Sequence, residues 1–221
     1  RLPAGQTLEA ERIYEIQRFQ IITHLDPKTL VRPGVKSRAL RGYLGSTPGI
    51  ETSDRDLKKL AEDLGSRQKS PWEFTQTAAE WIGKNVKYQQ GPYRGAEFAY
   101  NQRLGDCEDF SALLIALCRI AEIPARTVWV KGHAYPEFYL EDDTKQGHWI
   151  PVQLLGPEAF GNLNEAQPIL QKGDAYRDPV TRKTVRYLPQ QAVAYGGRAK
   201  LSISQSIVPD KSKSEPATRP N

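Results

Sequence analysis

Gly105-Asp106-Cys107-Glu108-Asp109-Phe110-Ser111 runs without interruption into Ala112-Leu113-Leu114-Ile115-Ala116-Leu117-Cys118. A glycine turn, an aspartate suited to capping and then a long apolar run predict a helix with a cysteine in its first turn. Helix N-termini favour negative charge, so a thiol placed there is easier to ionise. Asp106, Glu108 and Asp109 suit a helix start, although their charge opposes a thiolate. Phe110, Leu113, Leu114, Leu117 and Cys118 form a broad apolar stripe that calls for burial along at least one face. Cys107 thus belongs at the mouth of a central helix and Cys118 in its core. What the mouth lacks is a base.

Cys107 and Cys118 are the only cysteines in the 221 residues. Eleven positions along a helix separate Cα atoms by roughly 16 Å, far beyond the ~7 Å that a disulfide tolerates. They cannot pair, and no CxxC or HExxH spacing points to a metal, so neither a metal nor a cofactor is expected. An apolar content of 38% with four tryptophans supports a packed core. No apolar run approaches the ~20 residues of a membrane span. Residues 1–50 carry eight basic and four acidic side chains, +4, and residues 198–221 carry +3, leaving −2 for the middle of a chain whose net charge is +5. A nucleic-acid binder concentrates positive charge on its folded face, so that class is set aside. Methionine is absent, position 1 included. We read the chain as a processed or excised piece, expected outside the cytoplasm and preceded by an upstream domain.

Upstream of the central helix, Ser70-Pro71-Trp72-Glu73 has the form of a capping box with proline at the first helical position. It opens a helix over Phe74, Ala78, Trp81 and Ile82 that ends near Asn85 and leads into Val86-Lys87-Tyr88. Ser53 and Asp56 offer caps for a shorter helix over Leu57, Leu60, Ala61 and Leu64, stopped by Gly65. Residues 89–104 read as a loop rich in Tyr and Gln. Residues 1–50 read as an N-terminal extended segment, the remnant of an upstream β-rich domain, with Ala39-Leu40-Arg41-Gly42-Tyr43-Leu44 as a strand.

Downstream the period becomes extended. Thr127-Val128-Trp129-Val130, Pro136-Glu137-Phe138-Tyr139-Leu140 and Trp149-Ile150-Pro151-Val152-Gln153-Leu154 predict three strands, the last two joined at Asp142-Asp143-Thr144-Lys145-Gln146-Gly147. Antiparallel pairing then sets residues 133–135 beside residues 153–155. Weaker strand signals follow at 187–195 and 199–208. Arg126 is a candidate ion-pair partner for one of the helix-start carboxylates, and His24 and His148 read as loop residues. The domain is expected over 51–208, with a disordered tail at 209–221. Helix followed by antiparallel sheet is α+β.

Taken in order, Gly105-Asp106-Cys107-Glu108-Asp109, Ile123-Pro124-Ala125-Arg126, His133-Ala134-Tyr135-Pro136-Glu137 and Trp149-Ile150-Pro151-Val152 resemble the transglutaminase-like core, as do Ala79-Glu80-Trp81-Ile82 and Val86-Lys87-Tyr88 ahead of them. The resemblance covers residues 53–155. It implies a papain/transglutaminase-like fold, with the cysteine at the N-terminus of a central helix packed on an antiparallel β-sheet. In that family the cysteine attacks an amide or ester carbonyl, a histidine is its base, and an aspartate orients the imidazole. Carried over, Cys107 is the nucleophile and His133 the base. The aspartate's position after Trp-Ile-Pro-Val holds Gln153, a departure, and Tyr135 stands where tryptophan is more usual.

The third group must accept a hydrogen bond from the ring and hold one tautomer. An amide oxygen does this in papain-like proteases, but glutamine is longer and uncharged. The resemblance implies acyl transfer on a peptide or protein substrate, as protease, amidohydrolase or transamidase. The alternative is a catalytically silent module that binds a peptide or protein partner. The Cys107 backbone N–H is the natural first oxyanion donor, with Tyr88, Gln89, Gln90 or Tyr93 as candidates for the second.

Overall fold

The structure is a computed structural model that describes residues 24–34, 38–154, 159–165, 167–179 and 181–187. It also describes 3, 5–11, 13–19 and 21 before these, and the isolated positions 202, 204, 206 and 208 after them. The strands expected at 187–195 and 199–208 fall almost wholly outside the described residues, and the tail at 209–221 falls outside them entirely.

Helix α1 spans Arg55–Asp63 and α2 Pro71–Asn85; strand β1 spans Lys87–Tyr88, α3 Ala96–Gln102, β2 Leu104–Gly105 and α4 Cys107–Ile120. Strands β3 (Ala125–Val130), β4 (His133–Glu141), β5 (Gly147–Gln153), β6 (Ala159–Phe160) and β7 (Ile169–Lys172) form one antiparallel sheet in the order β6-β5-β4-β3-β7. Beyond it, β8 (Tyr176–Arg177) and β9 (Thr184–Val185) make a small hairpin. The fold is the expected mixture of helix and antiparallel sheet. Among the described residues no helix is long and apolar enough to cross a membrane.

Helix α4 is the axle of the molecule. It packs on β3 and β4 on one side and on α1, α2 and α3 on the other, so every residue from Asp109 to Arg119 is buried. The broad stripe is therefore an all-round apolar surface, as a helix with layers on both sides requires. Cys118 lies in this core, where burial pushes its thiol up to about 12. Both cysteines are free.

Local chemistry explains most helix starts. At Ser70 the capping box is complete: the Ser70 hydroxyl accepts from the Glu73 N–H and the Glu73 carboxylate accepts from the Ser70 N–H. Helix α1 is capped by Asp54, which accepts from Asp56 and Leu57 N–H at 2.9 and 2.8 Å, and not by Ser53 or Asp56. The residue directly before the helix reaches two unpaired donors at once.

Two expectations are corrected. The stretch read as a strand at 39–44 is a turn leading into a 3-10 helix over Arg41–Tyr43. Among the described residues no strand pairs with it; Leu40 is buried and Tyr43 meets Trp149 edge-on at 5.1 Å. The stretch read as loop at 89–104 contains α3. Its first N–H groups are satisfied from a distance: Gly95 by Asp109, Ala96 by the Gly49 carbonyl, and Glu97 by the Glu51 carboxylate. No local cap announces it. Gly95 has φ +94°, and a Cβ there would strike the Gly49 backbone at 2.7 Å, so only glycine lets the two segments close up.

The β4–β5 register sets Glu137 opposite Pro151 and Phe138 opposite Ile150. This brings the β4 start and the β5 end together, as the hairpin at 142–147 predicted. Residues ahead of α1 also join the core: Leu30 and Ile50 are buried in it, and Arg32 donates to the Ala121 and Ser66 carbonyls.

Candidate active site

Asp106 places Cys107 at the first helical position. Its carboxylate accepts from Glu108 and Asp109 N–H, and its own N–H donates back to Asp109. Asp109 does more than cap. Fully buried, it accepts from the backbone N–H of Arg94 at 2.7 Å and of Gly95 at 2.8 Å, and pairs with the Arg94 guanidinium at 3.1 Å. The first turn of α4 thereby fixes the preceding segment, holding both a backbone turn and a basic partner. Gly105 must stay small, since a Cβ there would meet Asp109 Cβ at 2.8 Å.

The Cys107 thiol lies against the Ala134 backbone N–H, one residue into β4 from His133. Ser111 ties the same two places together: its hydroxyl donates to the Cys107 carbonyl at 2.6 Å and faces the Ala134 carbonyl at 3.4 Å. Ser111 did not stand out in the sequence, although a hydroxyl one turn after the cysteine on the same face is the available signal. His133 Nε2 is 3.2 Å from Gln153 Oε1. The structure thus joins His133 and Gln153 directly, and sets Cys107 beside the strand that begins with His133. Among the described residues no aspartate takes this place: Asp142 is committed to its own turn and to His148 at 2.7 Å, at the opposite end of β4.

Burial raises the Cys107 thiol above its ordinary pKa; the Ala134 N–H opposes this, and the Asp106 and Glu108 carboxylates reinforce it. The sulfur at this mouth rests as a thiol. Asp106→Asn keeps a good N-cap and removes one opposing charge, so the midpoint of Cys107 alkylation against pH is expected to fall. Haloacetamide labelling read by mass spectrometry measures it, with buried Cys118 as the internal control. An unmoved midpoint would show that the carboxylate does not act on the sulfur.

Arg126 is not the partner of a helix-start acid. It pairs with buried Glu137 on the neighbouring strand at 2.8 Å, and Lys172 of β7 reaches the same carboxylate at 2.9 Å. Glu108 is engaged by Arg186 at 3.1 Å and by the Tyr187 hydroxyl. Neither residue was marked as part of the site in the sequence, where Tyr187 only opened a weak strand signal, because they reach the site from almost 80 positions away. His24 is exposed, and His148 lies at the far hairpin.

Residues 58–154 match the family model for the transglutaminase-like superfamily. Among solved structures the chain is similar to a candidate cysteine protease from Cytophaga hutchinsonii, at 25% identity over 59% of this chain and 47% of that one, with a TM-score of 0.49. It is also similar to a candidate protease from Parabacteroides distasonis, at 15% identity over 50% of this chain and 25% of that one, with a TM-score of 0.36. The chain spans less than half the length of either. Curated protein sequences contain no match to it.

Proposed function

Given that residues 58–154 belong to the transglutaminase-like superfamily, we propose that the chain performs cysteine-dependent acyl transfer on peptide-like amides, with Cys107 as nucleophile, His133 as base and Gln153 as the residue that orients the imidazole. The observation that carries this is the 3.2 Å contact between Gln153 Oε1 and His133 Nε2. A ring that donates from Nε2 keeps its lone pair on Nδ1, the form a base needs.

The steps follow from a site that rests as a thiol. As sulfur adds to the carbonyl, the thiol proton passes to His133. The tetrahedral oxyanion collapses, the C–N bond breaks, and the amine leaves with the proton from the imidazolium. Water, or a primary amine, then attacks the thioester, gives its proton to His133, and the Cys107 thiol is restored. The Cys107 N–H, in the first turn of α4, is the first oxyanion donor. Of the candidates for the second, the Tyr93 hydroxyl donates to the Pro48 carbonyl and the Gln89 N–H to the Gly105 carbonyl. Exposed Tyr88 and the side chains of Gln89 and Gln90 are left for that role.

Gln153 differs from an aspartate in a specific way. A carboxylate only accepts, whereas an amide accepts through one end and donates through the other, so rotation of Gln153 supports either ring tautomer. It also leaves the imidazolium without a counter-charge. Hydrogen bonds to charged groups are worth about 1–2 kcal/mol more than neutral ones, so Gln153→Asp is expected to raise the rate of Cys107 acylation by an activated peptide ester about 10-fold. Gln153→Leu is expected to lower it. If all three chains acylate at one rate, Gln153 has no part in the chemistry. The raised Cys107 thiol favours a second reading, a peptide-binding module without turnover; acylation absent from both wild type and Gln153→Asp decides for it.

A further inference from the structure

Two arginines are buried among the described residues, and their surroundings differ. Each nitrogen of the Arg119 guanidinium donates: Nε and Nη2 to the Ala125 carbonyl, Nη1 to Gly45 and Thr47, and Nη2 also to Asp174. Arg186 is 6% exposed, yet among the described residues none of its three nitrogens makes a directed hydrogen bond. What surrounds it is aromatic. Its guanidinium carbon lies 3.1 Å from the Tyr93 ring centroid, 5.3 Å from that of Trp129 and 5.5 Å from that of Tyr187. Among the described residues its ion-pair partner is Glu108, 3.1 Å from Nη2, within ion-pair range but without hydrogen-bond alignment. Ring faces and one carboxylate recognise a cation by charge and polarisability, with little demand on the direction of its N–H groups. Such a pocket accepts more than one cation.

The pocket adjoins the reacting sulfur. Glu108 follows Cys107 in the chain; Trp129 is the cross-strand partner of Ala134, whose N–H meets the thiol. Tyr93 precedes Arg94, which is bound to the first turn of α4 through Asp109, and its ring packs where a Gly49 side chain would otherwise lie. These three walls belong to the α4 mouth, to β3 and to the segment ahead of α3. Arg186 and Tyr187 come from beyond the sheet, just after β9. The walls are part of the site, and the occupant is an addition to it.

We infer that Tyr93, Trp129 and Glu108 form a subsite for a cationic side chain, Arg or Lys, next to the reacting carbonyl of a peptide substrate, and that Arg186 fills this subsite from within the same chain. The substrate half of this inference rests on the acyl-transfer reading of Cys107; the cation subsite does not. Displacing Arg186 breaks no directed hydrogen bond of its guanidinium and returns a charged group to water.

The test uses the full chain with Arg186→Ala and, in parallel, Arg186→Gln, which keeps side-chain length while removing charge. Each is titrated with N-acetyl-arginine methylamide and with its neutral isostere N-acetyl-citrulline methylamide, read by intrinsic tryptophan fluorescence. Trp129→Phe in the same background assigns the signal. The arginine probe is expected to bind both variants at least 10-fold more tightly than the citrulline probe, and at least 10-fold more tightly than it binds wild type. Adding Glu108→Gln is expected to abolish the preference. Equal binding of the two probes to both Arg186 variants, or equal arginine binding by variant and wild type, overturns the subsite. Because the readout is binding, an inert Cys107 with an intact arginine preference removes the acyl-transfer reading and leaves the subsite in place.

Discussion

His133→Ala is expected to slow acylation of Cys107 by an activated peptide ester about 100- to 10,000-fold, the range that a positioned general base supplies. The size of the loss follows from the resting state of the sulfur. Burial and two neighbouring carboxylates hold the Cys107 thiol above its ordinary range, so little thiolate stands ready near neutral pH. The proton must leave as the bond to carbon forms, and His133 opens the strand on which the thiol rests. Alkylation of the same cysteine by a small haloacetamide should change far less, because that reagent reacts with whatever thiolate the solvent supplies. The ratio of the two rates is thus the measurement. A large fall in acylation with little change in alkylation assigns His133 as base. A parallel fall in both would mean that the variant has only closed or distorted the mouth of α4, and an unchanged acylation rate would remove His133 from the chemistry.

Asp109→Ala is expected to lower the free energy of unfolding by about 3 kcal/mol, the lower end of what breaking a buried pair costs. The lower end applies because Arg94 keeps 20% of its side chain exposed and can return to water. The Arg94 and Gly95 N–H groups cannot do so equally; Gly95 is buried, and its donor loses the Asp109 oxygen now 2.8 Å away. At a slope of about 2 kcal/mol per molar urea the midpoint falls by about 1.5 M. Asp109→Asn, which keeps an oxygen for the two N–H groups, should recover most of the loss. If Ala and Asn are equivalent, the charge and not the backbone cap is what matters. The functional corollary is a loosened Tyr93, since Asp109 binds the two residues that follow it to the first turn of α4.

What could be read from the chain divides by distance along it. The capping box at Ser70 and Glu73, the Asp106 cap and the 142–147 hairpin are all settled within a few residues, and each stands where local chemistry puts it. The pairing of His133 with Gln153 was legible because one hairpin register fixes it. Helix α3 was not legible: the groups that satisfy its first turn lie some 14 positions downstream and some 46 upstream. The same limit hid the true partner of Arg126. Charge complementarity offered Asp106, Glu108 and Asp109, while strand pairing set Glu137 directly across from it. Strand β7 carries too few apolar residues to declare itself, yet it completes the sheet by pairing with β3.

The stretch that matches the family, 58–154, is smaller than the unit that folds. Asp174, twenty residues past its end, neutralises the buried guanidinium of Arg119 at 2.8 Å. Strand β7 covers the β3 edge, and Leu30 and Ile50 fill the core from the other side. A fragment trimmed to the matched boundaries would keep Cys107, His133 and Gln153 but leave an uncompensated charge in the core and an open apolar strand edge, a recipe for edge-to-edge aggregation. Inactivity or insolubility of such a fragment would report on where it was cut.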